Sequence, residues 1–281
     1  MTADHPPPRD ALKAFGATDA VFVTSTNIAA IWRVASPHGP AALKLYHGRG
    51  LANEAAGFDM LKAWNGRGAA RLYGLSGPAA LIEWLDGPSL GDRVREGRGE
   101  AADATLTAAA GRLHGPAPAP PQSLPLLADW CVGLFDFVPP AGWPDADRAS
   151  LARAADLARR LLASPRDIAP LHGDFHHDNV IRGARGWTAF DAKGVLGERA
   201  YELANAFRNP KGAPAFVDDP ARRSRLVALG AAALGVDAKR LRAWAAAKCA
   251  LSIVWRAKRA DAPPDPEAAL LARLLDEAGT V

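Results

Sequence analysis

The 281-residue chain has only two cysteines, Cys131 and Cys249, and they form no C-x-x-C pair. Neither a zinc knuckle nor a disulfide framework is indicated. Both sit among apolar neighbours and read as small buried hydrophobes. Charge of one sign is also scarce: 34 Lys and Arg face 30 Asp and Glu, a formal net charge of +4. A nucleic-acid binder would need a basic stripe with interleaved aromatics. Here basic residues gather only in short clusters such as Arg222, Arg223 and Arg225, which reads as a solvated helix face. Long apolar runs are missing too. The most apolar window, Trp244 to Trp255, is interrupted by Lys248 and too short to span a bilayer. The opening MTADHPPPRD has no apolar core of the signal-peptide kind. Together these absences lead us to expect a reduced, cytoplasmic, soluble protein with no nucleic-acid or membrane partner.

What is present divides in two. The first third reads as strands with one helix: AVFVTS (20–25), IAAIWRV (28–34) and AALKLY (41–46), then a helix over 51–64 with Leu51, Ala55, Phe58 and Leu61 on one face. Two further strands are expected over 69–75 and 79–85. After LDGPSL the patterning becomes helical, over 100–115, 147–163 and most of the chain beyond Arg199, with a proline-rich connector at 116–125. Short strands are expected around 180–182 and 187–190. No internal repeat is visible. The fold class is therefore α+β: a small antiparallel-sheet lobe with one helix, residues 1–85, and a larger mainly helical lobe, residues 86–281.

The densest chemistry lies in PLHGDFHHDNVI, residues 170–181. Asp174 and Asn179 stand five residues apart, and Asp191 follows twelve residues later, after a strand-like GWTAF. Magnesium takes oxygen ligands and is usually held by one or two carboxylates, an amide oxygen and substrate phosphates. Asn179 and Asp191 supply such an amide and carboxylate. Asp174 is left to orient a hydroxyl and take its proton. Protein kinases show the same grammar, H-R-D-x-x-x-x-N followed by a metal-binding Asp. This chain has H-G-D-x-x-x-x-N and then D-A-K-G. Upstream, Lys44 interrupts the apolar strand ALKLY, and Glu54 follows on the helix. A strand lysine paired with a helix glutamate and touching nucleotide phosphates is the next kinase feature.

With these residues in view, the chain resembles the aminoglycoside phosphotransferase family, and within it the streptomycin and hydroxyurea kinases. The likeness is carried by LHGDFHHDNVIRGARGWTAFDAKGVLGERAYELANAFRNP, residues 171–210. It implies a bilobal protein-kinase-like fold with ATP between the lobes and a small molecule as phosphate acceptor. It further implies Asp174 as base, Asn179 and Asp191 as magnesium ligands, and Lys44 as the phosphate-binding lysine held by Glu54. The linker IEWLDG becomes the hinge, where backbone groups of Glu83 and Leu85 meet the adenine. Three departures stand out. TSTNIAA between the first strands has no glycine, leaving Ser25, Thr26 and Asn27 as candidates to bind phosphate. Ala192 stands where the relatives have proline. Arg256, Lys258 and Arg259 occupy a region where acidic residues would suit a cationic aminoglycoside.

Two rival readings exist. A metal-dependent hydrolase could use His172, Asp174, His176 and His177, but zinc needs further ligands. No histidine follows His177, and His5, His38, His47 and His114 are scattered over a tail, a turn, a strand end and a helix end. The other rival is a nucleotide-binding protein without catalysis, for which retaining Lys44, Glu54, Asp174, Asn179 and Asp191 has no chemical reason. Of the histidines, His172 reads as structural, His114 as a cap on its helix, and His176 and His177 as either loop surface or acceptor contacts.

Overall fold

The computed structural model describes residues 6, 8–48, 50–115, 121–257 and 263–279. His5, Lys258 and Arg259 lie outside them, as does part of the proline-rich connector. After a short helix, α1 (Arg9–Phe15), alternating apolar residues build β1 (Thr18–Ser25), β2 (Ala29–Ser36), β3 (Gly39–Tyr46), β4 (Leu72–Ser76) and β5 (Ala79–Glu83). They pair antiparallel in the order β1-β2-β3-β5-β4. The period of two sorts side chains to opposite faces. Trp32, Val34, Ala41, Leu43 and Leu81 pack with Ala11 of α1 on one face. Ile31, Ala42, Lys44 and Tyr46 line a pocket on the other.

The single helix expected over 51–64 is two: α2 (Gly50–Asn53) and α3 (Ala55–Trp64), with Glu54 between them at φ −100° and ψ 1°. α3 lies unusually close to the segment after β8: a Cβ on Gly57 would stand 1.9 Å from the carbonyl oxygen of Ala192. Only glycine permits that approach.

The rest of the chain supplies α4 (Leu90–Arg95), α5 (Gly99–Leu113), α6 (Leu127–Phe135), α7 (Asp145–Ala163), β6 (Ile168–Leu171), β7 (Val180–Gly183), β8 (Gly186–Ala189), β9 (Val195–Glu198), α8 (Pro214–Asp218), α9 (Pro220–Leu234), α10 (Ala238–Arg256) and α11 (Ala268–Ala278). α10 is the centre of this region, buried almost all round and packed on α6, α7, α9 and α11. Asp237 caps its start by accepting from the backbone N–H groups of Lys239 and Arg240. Both cysteines are buried, as expected.

Two antiparallel ribbons, β6 with β9 and β7 with β8, frame the stretch 172–179 and the stretch 190–194. β6 and β9 carry no sequence signal, being four residues each and too short for a periodicity. The β7–β8 ribbon lies where expected. The arginine cluster is not a solvated face: Arg222 and Arg223 are buried. The Arg222 guanidinium grips Asp103 of α5 at 3.1 Å through two nitrogens, and Arg223 pairs with Glu277 of α11. Buried, hydrogen-bonded arginine needs such carboxylates, and removing one partner costs roughly 3–5 kcal/mol. Among the described residues no helix is long and apolar enough to cross a membrane.

Candidate active site

The stretch 172–179 is anchored from below. Glu202 accepts from the backbone N–H of His172 at 3.0 Å and of Gly173 at 3.3 Å, and its Oε2 stands 2.6 Å from His114 Nε2. His114 caps its own helix through its N–H, which donates to the Ala110 carbonyl at 3.0 Å, and its side chain braces the loop. Burial pushes the Glu202 carboxyl up, but His114 and these donors win and hold it below the usual carboxylate range. Gly173 sits at φ +82°, and a Cβ there would stand 2.8 Å from the Trp130 ring. The loop can turn in this way only with glycine.

The three histidines face three different partners. His172 Nε2 lies 2.9 Å from the Phe190 carbonyl, while its Nδ1 accepts from the Asp174 backbone N–H. Burial keeps its pKa below the ordinary value, so it is a neutral tie between loop and β8. His177 is fully buried with Nε2 2.9 Å from Asp103, joining the Arg222 pair. It cannot touch an acceptor, which corrects one of the two candidate contacts. His176 Nδ1 accepts from the Asp178 N–H, and its Nε2 stands 3.8 Å from Asp174. Burial lowers its pKa to about 4, so it is neutral near pH 7. Turned apart in this way, the histidines make no zinc site.

Asp174 emerges at the end of this scaffold with both carboxylate oxygens held. Asn205 donates to Oδ1 at 2.6 Å, and Asn179 to Oδ2 at 3.2 Å and to the Asp174 carbonyl at 2.9 Å. Asn205 is itself fixed by Arg208, which donates to its Oδ1 at 2.9 Å and pairs with Glu267 at 2.7 Å. With its nitrogen committed, Asn179 has its amide oxygen left to offer.

Asp191 sits at φ +59°, a conformation uncommon for a residue with a side chain. Its carboxylate is clasped by Lys44 Nζ at 3.0 Å and by Lys193 Nζ at 3.2 Å. Lys193 continues to Glu54 at 3.0 Å. The expected Lys44–Glu54 pair is thus replaced by an alternating row, Lys44–Asp191–Lys193–Glu54. The physical reason is the close packing of Gly57 on Ala192, which puts the side chain of Lys193 within reach of Glu54. Burial opposes the charge on Asp191, yet the two ammonium groups hold its pKa far below the ordinary range. The same two carboxylates raise Lys193 against burial. Asn179 oxygen and Asp191 are hard oxygen donors, joined through the Phe190 N–H to Asn179 carbonyl bond of 3.0 Å, and suit a magnesium ion.

The row stands at the end of a slot of about 190 Å³ walled by Val23, Ile31, Ala42, Ile82, Leu85 and Phe190. A second, wider cavity of about 760 Å³ has Asp174 in its wall, together with Trp130, Lys193, Lys248, Ser252 and Trp255. The remaining candidates are placed less centrally. Thr26 Oγ1 accepts from the N–H groups of Ile28 and Ala29, closing the β1–β2 turn, and Ser25 and Asn27 are exposed beside it. The Glu83 carboxylate holds Arg185 and the Arg71 N–H, and its own N–H donates to the Arg71 carbonyl. Lys193, Asn205, Arg208 and Lys248 are not singled out by the sequence. Lys193 alone has a signal there, as the charged member of D-A-K-G.

A family model described as aminoglycoside/hydroxyurea antibiotic resistance kinase matches residues 16–260. The chain is 38% identical over 222 residues to the streptomycin 3''-kinase of Klebsiella pneumoniae, covering 77% of this chain and 79% of that one. It is 33% identical over 270 residues to the hydroxyurea phosphotransferase of Kitasatospora aureofaciens, covering 88% and 76%. In fold it is similar to a thermostable mutant of an aminoglycoside phosphotransferase in ternary complex with AMP-PNP and hygromycin B, with TM-score 0.64, 14% identity and 97% of each chain covered. The choline kinase of Streptococcus pneumoniae gives TM-score 0.64 at 12% identity, covering 96% of this chain and 97% of that one.

Proposed function

The chain belongs to the aminoglycoside/hydroxyurea antibiotic resistance kinase family, and from that premise we propose that it moves the γ-phosphate of ATP to the hydroxyl of a small molecule lying in the wider cavity. It is a phosphotransferase with an alcohol-type acceptor. The carrying observation is Asp174, fixed by Asn205 and Asn179 in the wall of the wide cavity.

In this reading the adenine enters the slot and meets backbone groups of Glu83 and Leu85 at the hinge. The nucleotide lobe is 1–85 and the acceptor lobe 86–281. Lys44 neutralises the phosphates, Lys193 and Glu54 keep Asp191 aimed, and Asp191 and the Asn179 oxygen would hold Mg2+. When bound, magnesium neutralises charge on the phosphate oxygens. Asp174 hydrogen-bonds the acceptor hydroxyl and takes its proton as the oxygen forms a bond to the γ-phosphorus. The bond from that phosphorus to the β–γ bridging oxygen breaks, and ADP leaves with the electron pair. Positioning and electrostatics supply most of the rate. Of the hairpin residues, Thr26 is spent on its own turn through both its hydroxyl and its N–H, which leaves Ser25 and Asn27 to meet the phosphates.

The acceptors named for the two curated relatives, streptomycin and hydroxyurea, are the first to test. ADP release with magnesium and ATP should rise above the acceptor-free rate with at least one compound of a panel that begins with these two. A panel giving no acceptor-dependent ADP, from protein that binds ATP, would sink the reading in favour of a non-catalytic relative.

A further inference from the structure

Helix α10 turns one face into the wide cavity: Lys248, Ser252, Trp255 and Arg256, at spacings of four, seven and eight residues. Four cations line this cavity, Lys193, Arg208, Lys248 and Arg256, against one carboxylate, Asp174. Three of the four are already matched. Lys193 pairs with Glu54 and Asp191, Arg208 with Glu267, and Arg256 with Asp265 and Glu267.

Lys248 is different. Its residue is 3% exposed. Among the described residues no carboxylate oxygen comes within 4.0 Å of its ammonium. Its ammonium lies over the Trp255 ring, with the centroid 4.3 Å from Nζ. A lysine with no carboxylate partner, placed among Ala245, Ala246, Ala247 and Ala250, destabilises the fold it sits in. The groups that act on it are Asp174 from the catalytic loop, Arg208 from the 3-10 turn over Ala204–Arg208, Cys131 from α6 and Arg256 from α10 itself. Burial outweighs Asp174 and lowers its pKa to about 8. At pH 7 the ammonium is still charged.

On the reading of Asp174 as base, we propose that Lys248 selects the acceptor: its ammonium donates to a carbonyl or carboxylate oxygen of the same small molecule whose hydroxyl Asp174 deprotonates. The pocket then takes neutral or anionic hydroxy compounds and disfavours polycations, which meet an unmatched positive charge and no free carboxylate but the base. Trp130 and Trp255, edge to face at 5.9 Å, give the flat wall beside that oxygen. Hydroxyurea, with a carbonyl oxygen close to its N-hydroxyl and no charge, fits these demands. Streptomycin, with its guanidinium groups, does not.

The test uses the full chain, wild type and Lys248→Met, with saturating ATP and magnesium. Hydroxyurea, glycerate and streptomycin serve as acceptors, and thermal unfolding is followed with and without ATP. Wild type should have a higher kcat/KM for hydroxyurea or glycerate than for streptomycin. Lys248→Met should raise the KM of the favoured acceptor about tenfold or more, the loss of one charged hydrogen bond, with kcat much less affected. It should also lower the KM for streptomycin and melt at a higher temperature than wild type, because a buried charge is gone. Better turnover of streptomycin by wild type would overturn the proposal. So would a fall in kcat alone with every acceptor, which would assign Lys248 to the transferred phosphoryl group. A lower melting temperature would make Lys248 structural, and no turnover of any of the three by ATP-stabilised protein also counts against it. Protein whose melting ATP does not shift, and which releases no ADP, refutes instead the phosphotransferase reading beneath it.

Discussion

The narrow slot and the wide cavity are built on opposite electrostatic plans. In the narrow slot each charge has its counterpart: Lys44 holds Asp191, Lys193 from the wall of the wide cavity holds Asp191 and Glu54, and Arg185 holds Glu83. In the wide cavity the arginines are matched from behind by Glu267 and Asp265, and among the described residues Lys248 is left without a carboxylate within 4.0 Å. The contrast identifies which side is preassembled. A slot whose row is complete before anything binds has little to reorganise when phosphates arrive, which is how electrostatic catalysis works best. A cavity that keeps an unmatched buried charge is waiting for its ligand to complete it.

The most severe challenge to this contrast is to remove the carboxylate in the wall of the wide cavity, Asp174. Asp174→Ala should reduce transfer by about 10³-fold or more while leaving ATP affinity near wild type; titration of ATP alongside the ADP-release assay checks both halves. Unmatching the slot comes next. Lys44→Ala leaves Asp191 with Lys193 alone and should lower kcat/KM for ATP roughly a hundredfold, with the acceptor KM little changed; steady-state kinetics with each substrate varied in turn separates the two. Asn205→Ala is milder. It frees Asp174 Oδ1 from its 2.6 Å donor and should lower kcat about tenfold. A structural role would do no more than that. A positioning role also leaves the KM for ATP and for the acceptor near wild type, so that the loss falls on kcat alone.

The smallest effect is on stability and concerns Lys248. Its pKa is depressed from 10.5 to about 8 in the folded protein. Between those values the unfolded chain holds the proton and the folded chain does not, so the folded state gains stability as pH rises from about 8 toward 10.5. The penalty is fully present below about 8. Urea midpoints of wild type and Lys248→Met should therefore differ more at pH 7 than at pH 9.5, and a constant difference would mean the lysine is not strained by burial.

Much of this is legible in the chain because it is local. Asp174 and Asn179 are separated by a span too short to be anything but one loop, and Lys44 stands out as the only charge in ALKLY. The antiparallel sheet and the long helices announce themselves through periods of two and 3.6. The differences between expectation and structure concern partners rather than elements. Glu54, expected beside Lys44, is held by Lys193, 139 residues away. His177 lies three residues from Asp174 in sequence and turns from it in space, toward Asp103 on a different element. Arg222 reads as solvated and is buried. A cluster of arginines on a helix carries no sign of whether a carboxylate waits opposite, since that depends on which helix packs there.

Sequence alone was enough for the reaction chemistry and the sheet-then-helix order, because HGDFHHDN, the lysine strand and the later DAKG are short-range patterns with a fixed local geometry. How the charges are matched was settled by tertiary packing. Asn205 is brought to Asp174 across 31 residues, Glu267 to Arg208 across 59, and Lys193 to Glu54 across 139. Whether a charge ends paired or alone depends on which elements meet, and the lone one, Lys248, is visible only when every other cation around it has found its carboxylate.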